Sequence, residues 1–377
     1  MNDFIFENSC RIIFGKHDES LIANEIKRVG ANKVLVVYGS ERIRESGLLG
    51  KIIDGLDSQG IEHVEFGGVV ANPLRSHATS GVELAIARKI DFVLAVGGGS
   101  VIDAAKYIAV GAVPNQSAWE IFQSGAQPNE MTALPVGAVL TLPAAGSECS
   151  IASVIRDNET GKKFALGSEK IRPRFAFINP EYCISLPKEQ IGYGASDIFA
   201  HLLERYFSPQ NNVRFTDYLL EGAMRAMIEI APKLYSNSKS YELWAEFCII
   251  GTLAHNNMLD MGRDEQDWAT HKMENKLLSG THNIAHGAGL AILFPAWMKY
   301  VSKTKPERIT AFYNNVISID GLQAWYRSIG LAQSLGELDI DYKVVKADAE
   351  KTFNGIILGK YSQLDLPSIL KIIELAK

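Results

Sequence analysis

Three observations predict the fold class. Short β-branched runs alternate with helix-period segments in the first half of the chain, two of those runs are almost continuously apolar, and from about Pro187 helical periodicity continues with almost no strand signal. The chain therefore reads as an α/β domain, a doubly wound and mostly parallel sheet over residues 1–187, followed by an all-helical domain over residues 188–377. Lys33–Tyr38 (KVLVVY), Glu62–Phe66 (EHVEF) and Asp91–Val96 (DFVLAV) are the expected strands. The first and last have the unbroken apolar character of strands buried on both faces. Helical segments at 21–29, 48–59 and 78–89 separate them and imply right-handed βαβ crossovers. In the second half, 217–234, 241–258, 265–277 and 288–301 repeat with helical period, so the junction falls at 185–190. The sequence shows no internal repeat and no low-complexity segment.

With 377 residues, 47% hydrophobic and 21% charged, the chain can bury two substantial cores and is not a disordered tail. A net charge of -5 with no long basic run argues against nucleic acid and anionic membranes as partners, which leaves small molecules. Met1–Phe6 has no basic stretch followed by an apolar one, so no secretory signal is expected. The apolar run 288–297 is short and interrupted by Pro295, so no transmembrane helix is expected. Cys10, Cys149, Cys183 and Cys248 stand far apart in sequence without a CxxC pair, which fits a reducing cytoplasm and no disulfide framework.

The strand ending at Val96 runs into Gly97, Gly98, Gly99 and Ser100 and then into a helix carrying Asp103 and Lys106. Such a turn lets backbone amides and the positive end of a helix approach a phosphate without Cβ clash. The spacing matches neither GxGxxG nor GxxxxGK[ST], and a glycine turn can also be merely tight. After the first strand, Gly39 and Ser40 occupy the place where an acidic residue would bind ribose hydroxyls, with Arg42 and Arg44 nearby. That arrangement leaves room for a 2′-phosphate and tilts the expectation to NADP(H) over NAD(H), unless the two arginines are simply solvated.

Five of the eight histidines lie between His201 and His286. Asp197 and His201 are spaced i, i+4, one helical turn apart on one face. With His271 and His286 they make a mixed N/O set suited to a borderline divalent ion better than to Ca²⁺ or Mg²⁺. Any one of these imidazoles alone reads better as a satisfied core or surface group; it is the four together that point to a metal.

Gly97–Lys106, Thr141–Glu148, Asp197 with His201, and His271 with His286-Gly287, in this order, together resemble the iron-containing (group III) alcohol dehydrogenases, in their butanol dehydrogenase and aldehyde reductase branch. The opening Phe4–Asn8 with Ile13–Gly15, and Ala288–Met298, add to the match, which spans roughly residues 4–375. The resemblance implies a dehydroquinate synthase-like architecture with the active site in the cleft between a dinucleotide domain and a metal domain. It implies one divalent ion, Fe²⁺ first with Zn²⁺ or Mn²⁺ as alternatives, on Asp197, His201, His271 and His286. It puts the pyrophosphate at Gly97–Ser100, Thr141 and Leu142 along the nucleotide, Lys163 and Tyr182 toward the ribose and nicotinamide, and Gly39 and Ser40 at the adenosine ribose. Asp103, Ser147 and Leu186 complete the cofactor set; Tyr182 and Leu186 could equally be core packing. The implied chemistry is metal polarisation of a carbonyl oxygen with hydride exchange at the nicotinamide, by a cytoplasmic homodimer acting on small alcohols and aldehydes.

The chain departs from the family pattern three times. Asn275 stands where the family carries a histidine one turn after the third ligand, and asparagine cannot exchange protons near neutrality. The loop before His286 is one residue longer than usual, and Ala145 replaces a threonine. His282, four residues before His286, is the candidate replacement relay or else an exposed loop histidine. Glycerol dehydrogenase-like and dehydroquinate synthase-like chemistries are the rivals, the latter weakened by the few basic residues in 217–234 and 241–258. A non-catalytic nucleotide- and metal-binding protein is the third alternative.

Overall fold

The computed structural model describes residues 1–125, 131–209, 212–263 and 265–377. They form two compact units, Glu7–Ile184 and Met1–Phe6 with Ser185–Lys377. The expected division at 187/188 is thereby corrected at one end of the chain. Met1–Phe6 belongs with the helical unit, where the Met1 amino group donates to Asn212 O (3.2 Å) and Asn2 N to Gly262 O (3.3 Å).

In the first of these units, six parallel strands are ordered β1 (Arg11–Phe14), β8 (Phe175–Ile178), β5 (Val136–Leu142), β4 (Phe92–Gly98), β2 (Lys33–Tyr38) and β3 (Glu62–Phe66). The remaining two, β6 (Ala152–Arg156) and β7 (Lys163–Gly167), form an antiparallel hairpin. Helices α1 (Ser20–Arg28), α2 (Arg42–Glu45), α3 (Leu48–Ser58), α4 (Arg75–Ala87), α5 (Gly99–Gly111) and α6 (Ala118–Ser124) connect them. Alternate residues of the central strands (Val34, Val36, Phe92, Leu94, Val139, Phe177) pack with Ile22 and Ile26 of α1 and Ile52 and Leu56 of α3. Each such aliphatic or aromatic side chain gains roughly 1.5–3 kcal/mol from burial. The other sheet face is covered by α5, against β4, β2 and β5. Gly137, second in β5, is glycine because a Cβ there would lie 2.5 Å from the Phe175 ring and 2.9 Å from Phe92.

The strand order reverses between β2 and β4: β2 leads outward to β3, and β4 leads the opposite way to β5. Tyr38 pairs with Val96, so the Gly39 turn after β2 and the glycine end of β4 lie side by side. This is the position where open α/β sheets bind ligands.

The second unit contains α7 (Lys188–Tyr206), α8 (Arg214–Ser236), α9 (Tyr241–Ala254), α10 (Ala269–Leu277), α11 (His286–Val301), α12 (Pro306–Asn315), α13 (Ile319–Ser328), α14 (Tyr342–Thr352) and α15 (Leu366–Leu375). α11 is buried along nearly its whole length and passes through Pro295 unbroken. α10 starts at Ala269, later than the expected 265, because Trp268 ahead of it is in the left-handed region (φ 56°). Among the described residues no helix is long and apolar enough to cross a membrane.

Candidate metal centre and nucleotide turn

Asp197 and His201 sit one turn apart on α7, with Asp197 Oδ1 3.6 Å from His201 Nδ1. His271, on α10, and His286, the first residue of α11, each bring Nε2 to 3.7 Å from the same oxygen. None of these separations is a hydrogen bond. Asp197 Oδ1, His201 Nδ1 and His271 Nε2 are buried without a hydrogen-bond partner, an arrangement costing about 1–3 kcal/mol per atom. These three ligand atoms lie within 4.8 Å of one another. One carboxylate and several imidazoles, aimed into one space and otherwise orphaned, are the donor set of a divalent-ion site, so the residues present fit the metal the sequence implies.

Two glutamates that sequence reading overlooked orient the imidazoles. Glu204 Oε1 bonds His271 Nδ1 (2.8 Å) and accepts from the His271 backbone N–H (3.1 Å). Glu274 Oε2 bonds His286 Nδ1 and also takes the Ser279 hydroxyl (2.9 Å). A carboxyl on Nδ1 leaves the Nε2 lone pair of each ring for an ion. The signal was in the spacing: Asp197, His201 and Glu204 at i, i+4, i+7 on α7, and Glu274 one turn past His271 on α10. Gly289 accommodates Glu274, since a Cβ would lie 2.6 Å from its Oε1; Gly287 lets α11 start against the Tyr193 carbonyl.

Burial pushes the His201 imidazole well down, helped by the neighbouring His255 and His271, which keeps it neutral and able to donate a lone pair. Burial acts the same way on His271, but the nearby Asp197 carboxylate and the hydrogen bond to Glu204 outweigh it and raise it to about 9. Burial raises Asp197, yet His271, His286 and His255 hold it below the ordinary carboxylate range. His255 stacks on His201 with ring centroids 4.3 Å apart, and Trp268 lies edge-on to His271 at 5.2 Å. His286 is the most open of the four, with its side chain 27% exposed. Asn275 lies one turn after His271 on α10 and is half-buried. His282 Nε2 is 3.8 Å from Asp348 Oδ2, so this loop imidazole is set against a carboxyl group of α14.

In the sheet unit, Gly97 and Gly98 close β4 and Gly99 begins α5. A Cβ at Gly97 would lie 2.5 Å from Val101, at Gly98 3.0 Å from Leu142, and at Gly99 3.2 Å from Ala145. The glycines therefore let the turn close against the end of β5, where Thr141 and Leu142 lie, while the amides of α5 face outward from its positive end. Ser100 Oγ accepts from Asn72 N (3.3 Å). Lys163 opens β7, opposite Arg156, and Leu186 lies just past the junction, half-buried.

Three of the expected cofactor residues, Asp103, Ser147 and Tyr182, make hydrogen bonds within the sheet unit. Asp103 accepts from the Ser147 hydroxyl (2.7 Å) and from Val154 N (3.1 Å). Beside them the fully buried Lys106 donates to Ser147 O (2.7 Å), Ser150 O (3.0 Å) and Ala152 O (2.7 Å). Burial lowers this ammonium to about 8, with Asp103 and Glu148 opposing, so it is charged at neutral pH and pins the segment after β5. Tyr182 stacks on Phe177 and donates to Glu19 Oε1 (2.8 Å), inside the sheet core. These side chains satisfy one another, which spacing alone does not reveal.

A sheet unit with a glycine turn at its switch point and a helical unit with a buried carboxylate–imidazole centre define a class of metal-dependent, dinucleotide-using proteins. Comparison with known families agrees: residues 9–180 match the iron-containing alcohol dehydrogenase model, and 192–376 match the C-terminal model of the Fe-containing alcohol dehydrogenase family. The chain is 36% identical to the probable NADH-dependent butanol dehydrogenase 1 of Bacillus subtilis (strain 168), covering 99% of both sequences. It is 34% identical to the NADPH-dependent aldehyde reductase YqhD of Escherichia coli (strain K12), over 85% of this chain and 81% of that one. The crystal structure of NADH-dependent butanol dehydrogenase A from Thermotoga maritima superposes with a TM-score of 0.94 at 34% identity, covering 100% and 99% of the two chains. The chain belongs to the iron-containing alcohol dehydrogenase family, in its branch of butanol dehydrogenases and aldehyde reductases.

Proposed function

We propose that the protein interconverts small primary aldehydes and alcohols by hydride exchange with a nicotinamide dinucleotide. The observation that carries this reading is the set of buried, unpartnered ligand atoms on Asp197, His201 and His271, with His286 beside them. A divalent ion held there, Fe²⁺ in our reading with Zn²⁺ or Mn²⁺ as alternatives, supplies Lewis acidity to a carbonyl oxygen. Glu204 and Glu274 hold His271 and His286 in the ligating orientation. Gly97–Ser100 and the α5 N-terminus bind the pyrophosphate, Thr141 and Leu142 flank the nucleotide, and Gly39-Ser40 receives the adenosine ribose without a carboxylate of its own. That last feature supports a modest preference for NADPH, although relatives of both cofactor types carry the family's names. A homodimer in the cytoplasm completes the proposal. It is supported by the edge strand β1, where Ile12 is exposed, and by the scatter of the four cysteines in sequence without a CxxC pair.

The proton for the alkoxide comes from His282, whose Nε2 lies 3.8 Å from Asp348 Oδ2, or from water, since Asn275 cannot supply it. The test is oxidation of NADPH and NADH by butyraldehyde with metal-loaded protein, alongside His201→Ala, Asn275→His and His282→Ala. His201→Ala should lose bound metal and turnover together; metal retained at full stoichiometry in that variant overturns the centre. Wild type loaded with metal yet inert toward every aldehyde would favour the non-catalytic alternative. General acid help is worth ~10²–10⁴ in rate, so His282→Ala should lower turnover visibly, and Asn275→His should raise it, if the relay is as proposed.

A further inference from the structure

Cys10 and Cys149, far apart in sequence, are neighbours in the fold of Glu7–Ile184, with their sulfurs 3.4 Å apart in a thiol–thiol hydrogen bond. Cys10 Sγ also donates to Glu148 O at 3.5 Å. Cys10 is half-buried and Cys149 fully buried, so one thiol can be reached from solvent and the other lies directly beneath it. The backbone on both sides is anchored. Cys10 N donates to Asn8 Oδ1 (3.0 Å), Cys149 N to Gly146 O (3.2 Å), and the buried Arg172 guanidinium to Cys149 O (2.5 Å). Cys149 is flanked by Ser147 and Ser150, whose carbonyls hold Lys106, and it continues the segment that starts at Thr141 and faces Gly98 and Gly99.

We infer that Cys10 and Cys149 form an oxidisable dithiol site, closed to an intramolecular disulfide by exchange with a low-molecular-weight disulfide, and that closure weakens dinucleotide binding at the glycine turn. The second half rests on the proposed function above. In the first step the Cys10 thiolate attacks the external disulfide RSSR, forming the mixed disulfide Cys10–S–SR and releasing one RSH once the leaving thiolate takes up the Cys10 proton. In the second step Cys149 attacks the Cys10 sulfur, its proton passes to the departing RS⁻, and a second RSH leaves; the two protein thiols are oxidised and RSSR is reduced. Donation of the Cys149 S–H to the Cys10 sulfur, together with burial, raises the Cys149 thiol well above its ordinary range, so this second step quickens with rising pH. Closure shortens 3.4 Å to about 2.05 Å and draws Cys149 toward β1. Lys106 ties the carbonyls of Ser147, Ser150 and Ala152 together, so a displacement of Cys149 is shared by this segment, whose upstream end carries Ala145, the residue that faces Gly99.

The experiment incubates the full-length reduced protein with oxidised glutathione, quenches with iodoacetamide and reads intact mass and peptide map, with NADPH affinity followed by fluorescence on the same sample. Expected are the loss of two hydrogens, a crosslinked peptide joining Cys10 to Cys149 that dithiothreitol reverses, and a dissociation constant raised about fivefold. Cys10→Ser and, separately, Cys149→Ala should abolish the crosslink and the affinity change together. A glutathione adduct that stays on Cys10, or no reaction, overturns the site; a crosslink with unchanged NADPH affinity overturns the coupling. If the reduced protein itself fails to bind NADPH, the nucleotide reading fails instead, and the mass measurement still decides the dithiol.

Discussion

At the scale of single residues, Glu274 shows how much of a metal centre lies outside its ligands. Its carboxyl group is fully buried, bonds His286 Nδ1 and the Ser279 hydroxyl and backbone, and occupies the space that Gly289 leaves open. Glu274→Gln keeps the size and one acceptor but removes the charge that makes the His286 ring a better donor. Metal affinity should fall ~10–100-fold, measured by competition with a chromogenic chelator, while the circular dichroism spectrum stays unchanged. Undiminished affinity in this variant would show that His286 does not need the carboxyl. The four ligand candidates were legible in the sequence because an i, i+4 pair and two later imidazoles stand out against the background. Glu204 and Glu274 were not, because buried carboxyls on a helix look like ordinary surface charge until the fold covers them.

At the scale of elements, the short helix α2 carries Arg44 back to the strand ends. Its guanidinium bonds Glu41 (3.1 Å), Glu65, and the Tyr38 hydroxyl (3.1 Å), which itself bonds Glu65 (3.2 Å). Arg44, half-exposed, thus pairs with two carboxyls beside the Gly39-Ser40 turn. Arg44→Ala should leave those carboxyls to repel a 2′-phosphate, lowering the NADPH/NADH ratio of kcat/KM by about threefold, a modest factor because the cluster is solvent-screened. An unchanged ratio would detach α2 from cofactor choice. β2 and β3 were read to the residue as apolar or alternating runs of the right length. β1, β8 and the β6–β7 hairpin do not stand out, since runs as short as Arg11–Phe14 and Phe175–Ile178 carry too few periods to be told from buried loop or helix, while in β5 Gly137 and Thr141 interrupt the apolar run.

At the scale of the whole chain, Asp267 ties distant segments of the helical unit together. Its Oδ1 accepts from the backbone N–H of Lys360 (2.7 Å) and Tyr361 (2.7 Å), just after Gly359, where a Cβ would lie 2.9 Å away. Burial, with Glu204 adding repulsion and these N–H groups opposing, pushes the carboxyl up to about 7. A raised carboxyl means that the folded state holds a proton the unfolded chain has already released, so this contribution is complete below about pH 4 and is lost as pH rises through about 7. In chelator-stripped protein, urea midpoints should therefore decline from pH 5 to pH 8, and Asp267→Asn, which keeps the acceptor, should flatten the decline. An equal slope in both proteins would place the titrating group elsewhere.

The edge pairing of β1 with β8 also sets a schedule for folding. Arg11 is matched with Phe175, roughly 160 residues further along, and parallel pairing over such a span is slow because loop closure precedes its reward. On the ribosome, at about 5–20 residues per second, β1 is made many seconds before β8, its partner strand among the described residues, and the sheet cannot be completed until that strand has emerged. During that interval the apolar Ile12 and Ile13 stand unpaired, so the nascent chain is most open to chaperones and to misassociation before Ile178 has been synthesised.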